Sequence, residues 1–237
     1  MLPQVIVMQP VLEIHPSDGF ALWPVADVER SGWLSLSGEL APLEVATAVM
    51  RIAECNDIDP VDDDRPPRPT DPLRSFLHGL LTFDSLFVSG GMRVTDTSRG
   101  TTFLPGCCSG PGEWRDWRKA VDGSGHADFG HDPAPLAECL GDTVRLTVDA
   151  EQGDSPVIEL PAMELSDLTD RAERDLTGFL AVAFDWVSQH LPDLRAPVTA
   201  ALARALDIPA SAVRPRNAAA GDRKLSPGQC MGGPHRR

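Results

Sequence analysis

Hydrophobic residues recur at helical spacing in two long stretches of the chain. Val45, Val49 and Ile52 repeat at intervals of three and four residues after Pro42, and this pattern predicts a helix that ends near Cys55. A longer stripe predicts a helix over residues 165–191, made by Leu165, Leu168, Ala172, Leu176, Phe179, Ala183, Phe184, Val187 and Leu191. Prolines then break this helix and start another, so the two helices are expected to form a hairpin.

Shorter apolar runs separated by turn residues predict strands in the remainder of the chain. Residues 5–8 and 11–14 form two such runs on either side of Pro10, and residues 86–88 are also strand-like. Two β-hairpins are predicted, one pairing residues 92–95 with 101–104 and one pairing 143–148 with 156–160. Hairpins followed by segregated helices indicate an α+β fold, with a small antiparallel sheet on which the C-terminal helical hairpin packs.

The distribution of prolines and charges predicts the domain organisation. Residues 56–72 hold six aspartates and five prolines, which predicts a solvated acidic loop within a single domain over residues 1–207. The three consecutive aspartates from Asp62 to Asp64 lack the alternating ligands and the glycine of a calcium-binding loop. Residues 208–237 are basic and rich in glycine and proline, so they are expected to form a mobile tail.

Charge and cysteine usage narrow the class of protein. The chain of 237 residues has a formal net charge of −14, which opposes binding to the phosphate backbone of nucleic acids. Its first residues lack the pattern of a signal peptide, and no apolar stretch has the length of a membrane helix. The five cysteines have no regular spacing, so we expect reduced thiols in a cytoplasmic protein.

The run of residues 104–117 contains the chemistry-bearing residues that stand out most. Cys107 and Cys108 lie in a glycine-rich turn just before a predicted helix, whose N-terminus favours an anionic sulfur. A thiol with a lowered pKa is a nucleophile, and Cys108 is the better candidate because it lies nearer the helix. His126 or His131 is the candidate base, whereas burial of the cysteines as small hydrophobic residues is the alternative.

Metal binding is the second chemistry that these residues suggest. Cys107, Cys108, His126, His131 and Cys139 offer the soft ligands that zinc prefers, but their spacing differs from that of structural zinc sites. Adjacent cysteines are expected to point apart, so the sequence predicts no metal and no other cofactor. Asp132 follows His131 directly, and an aspartate before a proline is foremost a turn signal, so it is not expected to orient the imidazole.

Trp114 and Trp117 lie three residues apart in the same predicted helix. Burial in the core accounts for their large apolar area, but tryptophan and arginine also dominate the binding surfaces of interaction proteins. The neighbouring Arg115 and Arg118 therefore make the four residues a candidate site for binding a partner.

The motifs Leu-Pro-Gly-Cys-Cys at residues 104–108, Glu-Trp-Arg-Asp-Trp at 113–117 and Gly-His-Asp-Pro at 130–133 carry a resemblance. Gly141 and the five residues after it belong to the same pattern. On these motifs, residues 92–206, about half of the chain, resemble a group of uncharacterised bacterial proteins. That group has no assigned activity, so the resemblance implies neither a function nor a site.

Together these observations lead to two hypotheses of different kinds. The first is a non-catalytic cytoplasmic protein that binds an unknown protein partner and neither nucleic acid nor membrane. In size, acidity and α+β character it is broadly similar to the small cytoplasmic immunity proteins of bacterial toxin systems. The alternative is a cysteine-dependent hydrolase or transferase that uses Cys108, or Cys107, with a histidine base.

Overall fold

The computed structural model describes residues 4–60, 65–122, 126–209 and 211. The predicted α+β class is confirmed. The described strands are β1 (Ile6–Ile14), β2 (Gly32–Ser35), β3 (Gly90–Asp96), β4 (Thr101–Phe103), β5 (His126–Asp128), β6 (Leu136–Leu140), β7 (Thr143–Thr147) and β8 (Val157–Pro161). The described helices are α1 (Pro42–Glu54), α2 (Pro72–Phe76), α3 (His78–Thr82), α4 (Asp116–Asp122), α5 (Ala162–His190) and α6 (Arg195–Ala205).

The strands form two antiparallel sheets, where the hydrophobic pattern predicted one. The N-terminal sheet has the order β2-β1-β3-β4, and the C-terminal sheet has the order β5-β6-β7-β8. Both predicted hairpins are present, as β3 with β4 and as β7 with β8. Residues of β7 and β8 that face one another, such as Val144 with Leu160 and Leu146 with Ile158, are buried. The alternation of apolar and polar residues therefore locates these strands correctly.

Strand β1 runs without interruption through Pro10, where two separate runs were predicted. The carbonyl oxygen of Pro10 accepts a 2.8 Å hydrogen bond from the amide of Leu36, just beyond the pairing of Val11 with Ser35. The N–H and C=O groups of one strand residue point to the same edge, so the donor that proline lacks faces the end of β2. A proline is tolerated there because only one hydrogen bond is lost.

The predicted strand over residues 86–88 is wrong, because a side chain takes the place of a neighbouring strand. The amide of Phe87 donates to Oδ1 of Asn56 at 3.0 Å, and Nδ2 of Asn56 donates to the carbonyl of Phe87 at 2.8 Å. Asn56 is buried, so these bonds satisfy its side-chain amide and, at the same time, the backbone of Phe87.

The two predicted long helices are confirmed. Helix α1 begins at Pro42 and ends at Glu54, and α5 extends the predicted stripe by three residues at its N-terminal end. Pro192 starts a 3₁₀ turn (Pro192–Leu194), and α6 begins directly after it at Arg195. The longest described helix, α5 with 29 residues, is too polar to cross a membrane, and no other described helix is both long and apolar enough.

The segment after the cysteine pair forms a 3₁₀ turn (Pro111–Arg115) followed by the short helix α4. Helix α4 packs against α5 and against strands β5 and β6. Buried hydrophobic side chains from Ile6 to Ile208 belong to one cluster, so Ile208, assigned above to the tail, is part of the core. Asp62–Asp64 and nearly all of the predicted basic tail lie outside the described residues, and the division into a domain and a tail stays a prediction.

Candidate thiol site

Two loops meet at the surface and bring the predicted site residues together. The cysteine loop (residues 104–110) follows β4, and the histidine loop (residues 129–133) follows β5, so each loop continues from a different sheet. Cys107 and His131 form an isolated antiparallel bridge between them. The amide of Cys107 donates to the carbonyl of His131 at 2.6 Å, and the amide of His131 donates back to the carbonyl of Cys107 at 3.2 Å. Backbone hydrogen bonds thus fix the thiols relative to the imidazole.

The inner end of the cysteine loop is anchored by hydrogen bonds of a buried serine. Ser109 is buried, and its hydroxyl donates to the carboxylate of Glu113 at 3.0 Å. The same carboxylate accepts from the amide of Gly110 at 3.3 Å. The carbonyl of Ser109 accepts a 3.1 Å bond from the amide of Gly90 at the start of β3. Sequence reasoning missed this anchor, although the Gly110-Pro111-x-Glu113 spacing is a signal for a carboxylate that caps a helical turn.

The two cysteine side chains lie on the same side of their loop. Consecutive residues of an extended chain point to opposite faces, but Cys108 has a left-handed backbone with φ of +68°. The two Sγ atoms are consequently 3.4 Å apart, and both residues are exposed. The expectation that the adjacent cysteines point apart is wrong, because it assumed an ordinary backbone conformation at Cys108.

His131 completes the cluster, and Asp132 holds its ring. Nδ1 of His131 lies 3.1 Å from Oδ2 of Asp132, a distance at which the ring N–H donates to the carboxylate. One ring nitrogen of His131 and the Sγ atoms of Cys107 and Cys108 all lie within 4.8 Å of one another. The expectation that Asp132 does not orient the imidazole is therefore also wrong. Asp132 too has a left-handed backbone, with φ of +52°.

The other candidate base lies elsewhere. His126 is in β5, opposite Glu138 of β6, and is not a member of the cluster of Cys107, Cys108 and His131. Cys139 lies in β6, half-buried, and its thiol donates to the carbonyl of Gly141 at 3.3 Å. Of the residues that the sequence proposed for this chemistry, the structure thus brings together Cys107, Cys108 and His131.

The hydrogen bonds of the cluster separate the pKa values of the two thiols. The Cys107 thiol donates to the sulfur of Cys108, which lowers the pKa of Cys108, and the hydrogen bond with His131 lowers it further. The same bond raises the pKa of Cys107, which acts as the donor. Asp132 and then the Cys108 sulfur raise the pKa of His131, because both stabilise the imidazolium. Of the two thiols, Cys108 is therefore the one that loses its proton at the lower pH.

The lowered pKa of Cys108 does not come from a helix N-terminus, which was the cause expected from the sequence. The segment that begins at Pro111 is a 3₁₀ turn, and α4 starts only at Asp116. The pKa of Cys108 is lowered by its neighbours in the cluster, Cys107 and His131. An activated thiol at Cys108 stays a prediction, and its physical cause differs from the one expected.

The two cysteine sulfur atoms and the imidazole nitrogen are ligands of the kind that thiophilic metal ions bind. A tetrahedral zinc ion with sulfur ligands at about 2.3 Å places the two sulfur atoms about 3.8 Å apart, close to the separation of the two Sγ atoms here. A carboxylate bonded to the second nitrogen of a histidine is also common around metal-bound imidazoles. The cluster could hold such an ion with one coordination position left open. The sequence prediction of no metal assumed that the two cysteine side chains point apart, and that assumption does not hold.

The predicted partner-binding residues have a different environment. Trp114 and Trp117 are 0 % and 1 % exposed, so neither indole is at a surface that a partner could contact. Trp117 stacks on Phe129 with ring centroids 4.2 Å apart, whereas the guanidinium groups of Arg115 and Arg118 cover the ring of Trp114. These guanidinium groups form ion pairs with Asp207, and with Asp170 and Glu173, respectively. The indoles are core residues, which corrects the interpretation of the four residues as one exposed surface.

No protein-family model, curated protein or solved structure matches this chain.

Proposed function

We propose that this protein is a cysteine-dependent hydrolase or transferase in which Cys108 is the nucleophile and His131 is the base. The observation that carries the proposal is the geometry around His131: one of its ring nitrogens lies within 4.8 Å of the Cys108 sulfur, and its Nδ1 lies 3.1 Å from Oδ2 of Asp132. A nucleophile, a base and a group that orients the base are the elements of acyl-transfer sites on many unrelated folds.

The roles of the three side chains follow from their contacts. Asp132 accepts from Nδ1 and holds the imidazole, which leaves Nε2 to exchange a proton at the thiol. The thiolate of Cys108 attacks the carbonyl carbon of an ester or amide, and the leaving group departs with the proton of the imidazolium. The resulting thioester is then cleaved by water or by another nucleophile, which gives up its proton to His131.

The environment of the site indicates the form of substrate that it accepts. Both cysteines are exposed, and the side chains of His131 and Asp132 are 60 % and 84 % exposed. Such an open site is suited to an acyl group presented at the end of a larger molecule, because the reacting carbon reaches the sulfur without entering a deep cleft. The burial of Trp114 and Trp117 removes one support for the first hypothesis, a non-catalytic interaction protein, although Arg115 and Arg118 stay predicted contacts for a partner.

The test uses p-nitrophenyl acetate, an activated ester whose coloured product reports each acyl transfer. We expect a burst of p-nitrophenolate with acetyl on Cys108, seen by peptide mass spectrometry, and no burst from Cys108→Ser. His131→Gln should slow acetylation by about 10²-fold or more, which is typical for loss of a general base. Asp132→Asn should give a smaller decrease.

Cys139→Ser is the matched control, because Cys139 is a half-buried thiol outside the cluster. It should leave the burst unchanged. Acetylation of wild-type protein at the same rate as His131→Gln, or an unchanged burst in Cys108→Ser, would exclude Cys108 and His131 from the proposed roles.

A further inference from the structure

The second thiol of the cluster forms and breaks no bond in the proposed acyl transfer, although its hydrogen bond lowers the pKa of Cys108. Cys107 is exposed, and its Sγ lies 3.4 Å from that of Cys108. We infer that Cys107 and Cys108 form a redox-active dithiol, which a hydroperoxide converts into a reversible disulfide between the two neighbouring residues. We also expect this disulfide to stop acyl transfer, and that expectation rests on the proposed function. The formation of the disulfide does not rest on it.

The geometry of the loop places the two sulfur atoms for this reaction. A disulfide bond has an S–S distance of about 2.0 Å, so rotation of the side chains must close a gap of only about 1.4 Å. The left-handed backbone of Cys108 already turns both thiols to one side, and the bridge to His131 holds Cys107 in place. Both sulfur atoms face solvent, so a small oxidant reaches them without a change of fold.

The other described cysteines lack these properties. Cys55 is half-buried, and burial raises the pKa of its thiol. Cys139 is half-buried and bonded to the carbonyl of Gly141. Only Cys107 and Cys108, among the cysteines that the structure describes, are exposed and have a second thiol at contact distance. Oxidation is therefore expected at this pair first.

A disulfide between these residues would be strained, and strain makes it reversible. Neighbouring Cα atoms are about 3.8 Å apart across a trans peptide, whereas disulfides usually join Cα atoms about 4.4–6.8 Å apart. Strained and exposed disulfides have higher reduction potentials than structural ones and are the labile, regulatory kind. The pair is thus suited to a switch rather than to a permanent crosslink.

The reaction requires a hydroperoxide as oxidant and a dithiol as reductant. The Cys108 thiolate attacks the terminal peroxide oxygen, an S–O bond forms, the O–O bond breaks, and the alkoxide takes the proton of the His131 imidazolium to leave as an alcohol. Cys107 then attacks the sulfur of the Cys108 sulfenic acid, the S–S bond forms, the S–O bond breaks, and hydroxide leaves with the Cys107 proton as water. The net change is two thiols and one hydroperoxide to one disulfide, one alcohol and one water.

The test treats the full reduced chain with hydrogen peroxide and reads the tryptic peptide of residues 100–115. This peptide contains both cysteines and no other. We expect it to lose two hydrogen atoms and to resist iodoacetamide, and dithiothreitol should reverse both changes. In Cys107→Ser, the Cys108 sulfenic acid has no neighbouring thiol, so labelling by dimedone should increase several-fold. Cys139→Ser should behave as wild type.

A second measurement needs no substitution. Phenylarsine oxide should add across both sulfur atoms of the wild-type peptide, because its arsenic bonds two neighbouring thiols. The inference is overturned if wild-type Cys108 accumulates sulfenic or sulfinic acid as Cys107→Ser does, or if the arsenical does not bridge the pair.

The outcomes for the two proposals can be told apart. Disulfide formation without acetyl transfer by the reduced protein would exclude the proposed enzyme and leave a redox site. Acetyl transfer by a protein whose peptide never loses two hydrogen atoms would do the reverse. If both hold, the peroxide-treated protein should lose its p-nitrophenolate burst, and dithiothreitol should restore it.

Discussion

Gly106 and Gly130 pack backbone against backbone where the cysteine loop crosses the histidine loop. A Cβ atom on Gly106 would lie 2.8 Å from the carbonyl carbon of Gly130, and one on Gly130 would lie 2.8 Å from that of Gly106. Any side chain at either position would push the loops apart. The bridge between Cys107 and His131, one residue further along each loop, depends on this approach.

Gly106→Ala should therefore separate the loops and weaken the fold. Its added methyl group would also lie 2.4 Å from the carbonyl oxygen of Pro133, so we expect a loss of about 1–3 kcal/mol, as for other overpacked sites. Chemical denaturation measures the loss, and the alkylation rate of Cys108 should fall at the same time. Gly32→Ala is the control, because nothing lies within 4 Å of the added atom. Equal reactivity of Cys108 in both variants would contradict a role for the glycine contact.

The left-handed backbone of Cys108 predicts an unusual order of stability among its variants. A residue with a Cβ atom pays about 1–2 kcal/mol for that conformation, and glycine does not. Cys108→Gly should thus be more stable than Cys108→Ala by up to about 1 kcal/mol, after the greater chain entropy of glycine is subtracted. At Cys139, in strand β6, alanine should be the more stable of the two. Denaturation of the four variants is the measurement, and the same order at both positions would show that the φ of Cys108 is not left-handed.

The alkylation of the two thiols should follow different pH profiles. Because Cys107 and His131 lower the pKa of Cys108, its thiolate forms at lower pH, whereas Cys107 stays protonated until higher pH. Iodoacetamide labelling, resolved by peptide fragmentation, should give a midpoint for Cys108 below that for Cys107. His131→Gln should move the Cys108 midpoint upward. Equal midpoints in the wild-type protein would exclude the hydrogen-bonded arrangement of the pair.

The hydrogen bonds of Asp96 predict that the folded protein loses stability in acid. Its buried carboxylate accepts hydrogen bonds from the hydroxyl and amide of Ser98, at 2.6 and 2.9 Å, and from Arg99 and Gln4. The bond from the Ser98 hydroxyl is the main cause of a lowered pKa. The stabilisation is complete above the unfolded pKa of about 3.9 and is lost as pH falls through the lower native value.

Replacement of Asp96 tests whether its carboxylate stabilises the folded protein. Asp96→Asn should be less stable than wild type at neutral pH, and the difference should shrink as the pH falls below about 4. Urea denaturation across this range measures both effects. The exposed Asp84, as Asp84→Asn, is the control and should follow the wild-type pH profile. A constant difference between Asp96→Asn and wild type at every pH would assign the effect to packing instead.

The parts of the fold that the sequence predicts are those that local spacing determines. Helices α1 and α5 and the hairpins β3–β4 and β7–β8 depend on periodicity and turn residues within one segment. The division into two sheets depends on long-range pairing, such as that of β1 with β3, which no local pattern encodes. The amphipathic pattern around Trp114 fits a core as well as an interface. Only the packing of the 3₁₀ turn Pro111–Arg115 against β3, α4 and α5 shows that the indole of Trp114 is buried.

The candidate site, too, has features that the local sequence predicts and features that depend on long-range contacts. Residue type and the glycine-rich turn made Cys107 and Cys108 candidate nucleophiles, with His126 and His131 as alternative bases. The meeting of the two thiols with His131 depends on a contact between loops from different sheets and on the φ of Cys108, a conformation that residue type does not predict for cysteine. The bond from His131 to Asp132 likewise depends on the left-handed backbone of Asp132.

Because the two loops that form the bridge extend from different sheets, the contact between Cys108 and His131 exists only when both sheets have assembled. A chain in which one sheet has not formed still has both thiols but no imidazole beside them, and Cys108 then lacks the part of its pKa shift that comes from His131. The fraction of Cys108 that is labelled rapidly, at a pH below that at which an ordinary thiol ionises, therefore reports the fraction of correctly assembled molecules. Quenching samples at intervals during refolding would follow the joining of the sheets through a single sulfur atom.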